Sequence, residues 1–360
     1  MKIIILKACN SFVTVTFDMK KGFALLIAGS VLFFSCSLKS NKDIKAFTAM
    51  NTFMTVTTYG KNCQTANQML EKRIYEIENA ISTTNPESEL FKINASSQEE
   101  PLLLNRQETI NLLDFSVNMS KKTDGAFNYC LFPVIKLWGF TTDEFKVPSD
   151  REIQEKLKLT DYRKVNFYQE EEKSYIQKKA GMMLDFGALG KGYAGDEALK
   201  ILKSYGIESA LLDLGGNIQA LGLKTDGQEW KVGIKSPWDG SVIAGVRIND
   251  ECMITSGGYE RFFTGQDGKK YIHIFDGKRG YPVENEIESV TIICKSGLLG
   301  DALSTSLFVM GLEKAIAFWK SEKSFEMVII TKDKKIYYSE GLKDRLWTIF
   351  NFAEEVLIEE

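Results

Sequence analysis

Apolar positions in this chain change period several times, and each change marks a different element. From Met54 to Tyr59 the residues alternate in a threonine- and valine-rich run, which predicts a half-buried strand. Ala66, Met69, Leu70, Ile74, Ile77 and Ile81 then recur at steps of three and four, the spacing of an amphipathic helix. A second helical pattern runs from Arg106 to Lys122 and stops near Asp124-Gly125. Further on, a helix is expected after Lys191, ending at Gly206, followed by a strand from Ser209 to Leu214 that runs into Gly215-Gly216. Strands are also expected at Trp230–Lys235, Val242–Ile248, Val290 to Cys294 and Met327 to Thr331, with a helix from Asp301 to Met310. Helices and strands mix without a regular βαβ cadence, so the expected class is α+β. The charged, irregular stretch from Val147 to Lys179 is the one candidate for a boundary between lobes.

The N-terminus carries targeting information rather than fold information. From Met19 the chain reads MKKGFALLIAGSVLFFSC: two lysines, an apolar run from Gly22 to Phe34, then Ser35-Cys36. That run is shorter than the roughly 20 residues a membrane-spanning helix needs. Ser35-Cys36 resembles a bacterial lipobox, whose cysteine is diacylated and becomes the mature N-terminus, although Phe33 and Phe34 are bulkier than usual there. The other reading is a signal peptide with an incidental cysteine. Because a complete signal begins at Met19, that residue is the expected true start. Residues 1–36 are assigned to the leader, 37–46 to a polar tether and 47–350 to the folded domain.

Composition narrows the classes. Forty-five basic against 48 acidic residues give a net charge of −3, without the basic excess of a nucleic-acid protein. Apolar residues at 44% and charged residues at 26% exclude wholesale disorder and a multi-span membrane protein. Cys63, Cys130, Cys252 and Cys294 would remain beside Cys36 after loss of the leader; none forms a CxxC pair, so zinc and thioredoxin chemistry find no support. Export would permit disulfides among them without requiring any.

Three stretches carry candidate chemistry. Leu184 to Gly195 reads LDFGALGKGYAG, a tight glycine turn feeding a helix, with Asp185 and Lys191 nearby. Exposed N–H groups and an ammonium suit phosphate, but Lys191 precedes Gly192 rather than Ser or Thr, so the strict P-loop fails. By itself the turn reads equally well as structural. In GDALST, Asp301 and Thr305 lie four residues apart on one helix face, a hard-oxygen pair suited to magnesium rather than zinc. Alone, the simpler reading is an Asp near a helix start and a threonine bonding its own backbone. The third stretch, YIHIFDGKRGYP, holds the only histidine, His273, three residues before Asp276. A lone histidine is usually structural, yet it is the only side chain here whose ordinary pKa lies near neutrality. A carboxylate with a raised pKa could substitute.

Taken in order, these stretches resemble the ApbE family, the FAD:protein FMN transferases, many of which are bacterial lipoproteins. Nine pieces carry the likeness: Met50-Asn51-Thr52, Ser88-Glu89-Leu90 with Asn94, TDGAF from Thr123, LWGF from Leu137, Leu184 to Gly192, Asp213 to Gly216, Thr255-Ser256-Gly257 with Tyr259-Glu260-Arg261, HIFDGKRGYP, and Asp301 with Thr305. The resemblance implies an ApbE-like mixed α/β fold with FAD bound in a cleft between two lobes. It also implies Mg²⁺ held by the Ala188 carbonyl with Asp301 and Thr305. The flavin ring and ribityl chain would lie near Met50, Ala126, Phe127 and Asn128, and the remainder of FAD near Asp185, Lys191 and Ile274.

The reaction so implied is attack of an acceptor threonine hydroxyl on the FMN-side phosphorus of FAD, with AMP leaving. His273 is the expected base and Asp276 the alternative. Acceptors would be exported or membrane redox proteins with a flavinylation motif, met by an enzyme lipid-anchored in the bacterial cell envelope. Four positions depart from the family pattern: Asn51 for the usual Gly, Asn128 for Asp, Thr84 for a stacking aromatic, and Gly277 with Arg279 for Pro and Thr. Two alternatives stay open: an Mg²⁺-dependent FAD pyrophosphatase, because the same metal site would serve hydrolysis, and a non-catalytic FAD-binding lipoprotein, which the altered 277–279 loop and Thr84 leave standing.

Overall fold

The computed structural model describes residues 41–359 other than 98 and 143, together with the backbone of the paired strands Lys7–Ala8 and Ser11–Phe12. Met19, Cys36 and the rest of the expected leader lie outside the described residues. Ser40–Glu360 forms one compact unit. No described helix is long and apolar enough to cross a membrane.

A nine-stranded sheet organises that unit. Its order is Glu354–Ile358, Lys335–Ser339, Glu326–Thr331, Ile287–Cys294, Cys252–Gly257, Asn217–Leu221, Ser209–Leu214, Thr52–Tyr59, Lys42–Ala49. Every neighbouring pair is antiparallel except Lys335–Ser339 with Glu354–Ile358. Both edge strands overrun the expected domain limits of 47 and 350. Lys42–Ala49 lies partly in the stretch assigned to the tether, because pairing along the whole of Thr52–Tyr59 supplies partners for a polar sequence.

Both sheet faces are covered, which is why Glu326–Thr331 reads as an almost continuous buried run rather than an alternating one. On one face lie the helices Cys63–Ile81, Gly190–Ser204 and Gly297–Met310, sharing a core with Val56, Leu212, Ile254 and Ile292. On the other, Trp230–Lys235, Val242–Ile248 and Leu346–Thr348 form a three-stranded sheet whose Val232, Ile234 and Val246 pack with Met253, Ile293 and Ile330. The first helix buries Ala66, Leu70, Ile74 and Ile77, as its spacing predicts, and Ala80 as well, while Ile81 is half-buried. Met69, which the spacing also assigns to that stripe, is 39% exposed instead.

The charged stretch 147–179 is ordered and marks no boundary within the compact unit. It contains the helix Asp150–Leu157, a short turn of 3₁₀ helix and the hairpin Asn166–Glu170/Lys173–Gln177, which pairs with Leu102–Leu104. The helix is held at its start by reciprocal bonds between Ser149 and Glu152, a capping box that its composition alone hides. Near it Trp138, Phe140, Ile153, Tyr271 and Phe275 build a third, aromatic cluster under the histidine-bearing segment.

Candidate active site

Two helices, Gly190–Ser204 and Gly297–Met310, cross with their backbones in contact at the centre of the site. A Cβ on Gly192 would stand 2.1 Å from the Gly297 carbonyl oxygen, so only glycine permits the approach. In a regular helix the Gly192 N–H would bond the Ala188 carbonyl four residues back. Here it donates to Asp301 Oδ2 at 2.6 Å, and the helix begins only at Gly190. Asn217 Nδ2 donates to the other Asp301 oxygen at 3.0 Å. Gln219 Nε2 in turn reaches the Gly192 carbonyl and Asn217 Oδ1, both at 3.2 Å.

Asp301 is thereby fixed from both sides in a buried position. Burial pushes its carboxyl up to about 6, against the pull of Lys191 and of the Gly192 and Asn217 donors. Lys191 Nζ donates to the Gly215 carbonyl at 3.3 Å. One helical turn beyond Asp301, Thr305 Oγ1 lies 3.3 Å from Ser256 Oγ, which also meets Ser304 Oγ at 2.9 Å. The helix starts a turn earlier than the sequence suggests. Ser296 caps it, and Asp196 from the crossing helix accepts from Ser296 Oγ and from the N–H groups of Gly297 and Leu298. Asp301 is therefore a second-turn residue pointing at the glycine turn, rather than a cap.

These groups suit a hard cation. A carboxylate, a hydroxyl and a carbonyl released from its helical bond are all oxygen donors, as magnesium prefers. No cluster of three or more His, Cys, Asp or Glu able to hold a metal occurs among the described residues.

The sequence model of the ApbE family matches residues 50–329, most of the chain, and includes both crossing helices, Asn217, Gln219 and Ser256. The chain belongs to the ApbE family. It is 33% identical over 279 residues to an FAD:protein FMN transferase of Klebsiella pneumoniae, covering 76% of this chain and 85% of that protein. It is 34% identical over 283 residues to one from Treponema pallidum, covering 75% and 78%. Among solved structures, the ApbE protein of Thermotoga maritima superposes with a TM-score of 0.78 at 31% identity, covering 84% of this chain and 98% of that one. The α+β class and the ApbE-like fold expected from the sequence are both borne out.

Other ApbE positions fall into three groups. Met50 and Asn51 form the tight turn between the first two strands of the sheet, both with positive φ, +50° and +57°. Positive φ at Met50 is backbone strain of the kind found at ligand clamps, and Glu78 Oε1 accepts from its N–H at 2.8 Å. A Cβ on Gly190 would lie 3.7 Å from the Met50 sulfur, so Met50 reaches the glycine turn. Asn51 takes a conformation that asparagine tolerates.

Asp185 belongs to the glycine turn itself. Asn94 brackets Leu184 through both its backbone groups, at 2.7 and 2.8 Å, which sets the turn's entry. Asp185 Oδ1 then accepts from the Gly187 N–H at 3.0 Å, while burial raises its carboxyl.

The third group joins the TDGAF loop to the histidine segment. Lys278 pairs with Asp124 at 2.6 Å, and a Cβ on Gly277 would stand 3.3 Å from Asn128 Nδ2. Asn128 and Gly277 thus face each other. Phe127 and Ile274 are buried, and the Ala126 N–H donates to the Thr123 carbonyl. A cleft of about 410 Å³ opens beside Asn128, Gly277 and Lys278, and does not extend to Asp301. Asp276 Oδ1 accepts from the N–H groups of Lys278 and Arg279, at 2.8 and 3.3 Å, so it shapes the turn between Phe275–Asp276 and Tyr281–Pro282. Arg279 lies over the Tyr281 ring. Thr84 is exposed, its hydroxyl 3.2 Å from Ser82 Oγ.

His273 is half-buried, with Nδ1 3.1 Å from the Arg261 carbonyl oxygen. A carbonyl only accepts, so Nδ1 carries the proton and Nε2 the lone pair. Desolvation, helped by the positive charges of Arg261 and Lys191, lowers its pKa to about 4, leaving the ring neutral at ordinary pH.

Asn217, Gln219, Asp196 and Ser256 support the site, and the sequence reading did not single out their roles. For Asn217 and Gln219 a signal existed: two polar residues at period two on a strand whose other positions are apolar.

Proposed function

We propose that this chain is an FAD:protein FMN transferase, Mg²⁺-dependent, that joins FMN to an acceptor protein's threonine and releases AMP. Membership of the ApbE family and the names of its relatives support the transferase reading. The observation that carries it further is the Gly192–Asp301 contact, which brings the glycine turn and the late helix to one point.

Ala188, Asp301 and Thr305 would hold Mg²⁺. When bound, the ion would offset charge developing on the pyrophosphate oxygens and favour departure of AMP. Lys191 adds a fixed positive charge nearby, reflected in its pull on both Asp301 and His273. Met50, Ala126, Phe127 and Asn128 would hold the flavin end of FAD, with Asp185, Lys191 and Ile274 toward the remainder.

In the transfer, the threonine oxygen forms a bond to the FMN-side phosphorus while the phosphorus–oxygen bond to AMP breaks. His273 Nε2 accepts the hydroxyl proton, a contribution typically worth about 10²–10⁴-fold. Asp276 is the weaker candidate for that role, since one of its oxygens is held in its own turn. The leader ending at Cys36 supports a lipid-anchored enzyme in the cell envelope, near membrane or exported acceptors.

The test is to incubate the full chain with FAD, Mg²⁺ and a threonine-motif acceptor, then weigh the acceptor. An FMN-sized mass gain is expected. Free FMN and AMP with an unmodified acceptor would make the chain a pyrophosphatase, and unchanged FAD would make it a binding protein.

A further inference from the structure

Cys252 and Cys294 sit directly opposite each other on the antiparallel strands Cys252–Gly257 and Ile287–Cys294. Facing residues in such a pair have Cα atoms about 4.5 or 5.5 Å apart, and both spacings suit a disulfide. Their sulfurs are already in contact, 3.4 Å apart, and both side chains are buried. A Cβ on Gly300 would lie 3.3 Å from each sulfur, so the pair sits beneath the helix turn that leads into Asp301. Cys294 Sγ also donates to the carbonyl of Ser296, the cap of that helix.

We infer that Cys252 and Cys294 form a structural disulfide when the chain folds in an oxidising compartment. The two thiols lose two protons and two electrons to a disulfide oxidant by thiol–disulfide exchange. One Sγ–Sγ bond forms and the oxidant leaves as two thiols. Exchange occurs as the strands pair, before the helix covers the sulfurs. The closed loop spans 42 positions and contains Arg261, His273 and Asp276, so the bridge ties the ends of the histidine-bearing segment to the floor beneath Asp301. Its role is to restrain the unfolded chain and hold the two strand ends. It requires no particular substrate.

The full chain, exported with its own leader, is refolded with glutathione disulfide, then denatured, alkylated and digested. The expected product is one linked peptide pair containing Cys252 and Cys294, both unlabelled, with Cys63 and Cys130 labelled. A reductant should lower the thermal midpoint of the wild type by several degrees, and leave the Cys252→Ala/Cys294→Ala variant unmoved. Alkyl label on both Cys252 and Cys294 after oxidative refolding would overturn the inference. So would a midpoint that reductant shifts equally in wild type and variant.

Discussion

The backbone N–H of Gly192 donates to Asp301 Oδ2 at 2.6 Å across 109 residues of sequence. That bond exists because the two helices meet at a glycine, where any Cβ would collide with the Gly297 carbonyl. Gly192→Ala forces backbone against backbone, and no side-chain rotation can relieve it. Overpacking of this kind costs about 1–3 kcal/mol. Urea unfolding should show the unfolding free energy lowered by that amount, read as a lower midpoint at an unchanged slope. An unchanged midpoint would mean that the helices are not packed this closely.

The neutral His273 sets a pH expectation. Its folded pKa of about 4 lies below the ordinary 6.5, so the folded state binds fewer protons than the unfolded one between those values. Its contribution to stability is therefore complete above about pH 6.5 and is lost as pH falls toward 4. For activity, the free base persists down to the same region. Followed by NMR on the only imidazole of the chain, His273 should titrate near pH 4, and a midpoint of 6.5 would show an ordinary, solvated histidine. His273→Ala should abolish transfer while leaving FAD binding near wild type, and equal loss of both would remove it from the role of base.

Positive φ at Asn51 separates the turn's geometry from its side chain. Asn51→Gly should change stability by no more than about 0.5 kcal/mol, because glycine adopts this conformation freely. Asn51→Ala should cost about 1 kcal/mol, the left-handed penalty for a residue with a Cβ. Equal effects of the two substitutions, read as thermal midpoints, would mean that the Asn51 side chain, not its backbone, holds the turn.

Regular parts of this fold were legible in proportion to their periodicity. Trp230–Lys235 alternates buried and exposed residues without a break, and its bounds are those the pattern predicts. The pattern predicts the late helix only from Asp301 onward because Gly297 and Gly300 carry no apolar signal; both are glycine for close packing that a one-dimensional pattern cannot register. The hairpin within 147–179 is hidden because charge gathers at its turn, from Glu170 to Lys173, and polar residues interrupt the apolar positions of both strands. Candidate site residues were found by their motifs, but the groups that orient them, Asn217 and Asp196, act through contacts between segments distant in sequence.

A shared cation site between the glycine turn and the late helix is the claim on which the rest depends. Titration calorimetry of Mg²⁺ into FAD-loaded wild type and Asp301→Ala, with FAD occupancy checked in both, tests it directly. The account predicts saturable binding by the wild type, weakened by about tenfold or more in the variant, a loss of at least about 1.4 kcal/mol. Equal Mg²⁺ affinity in the two proteins would contradict it.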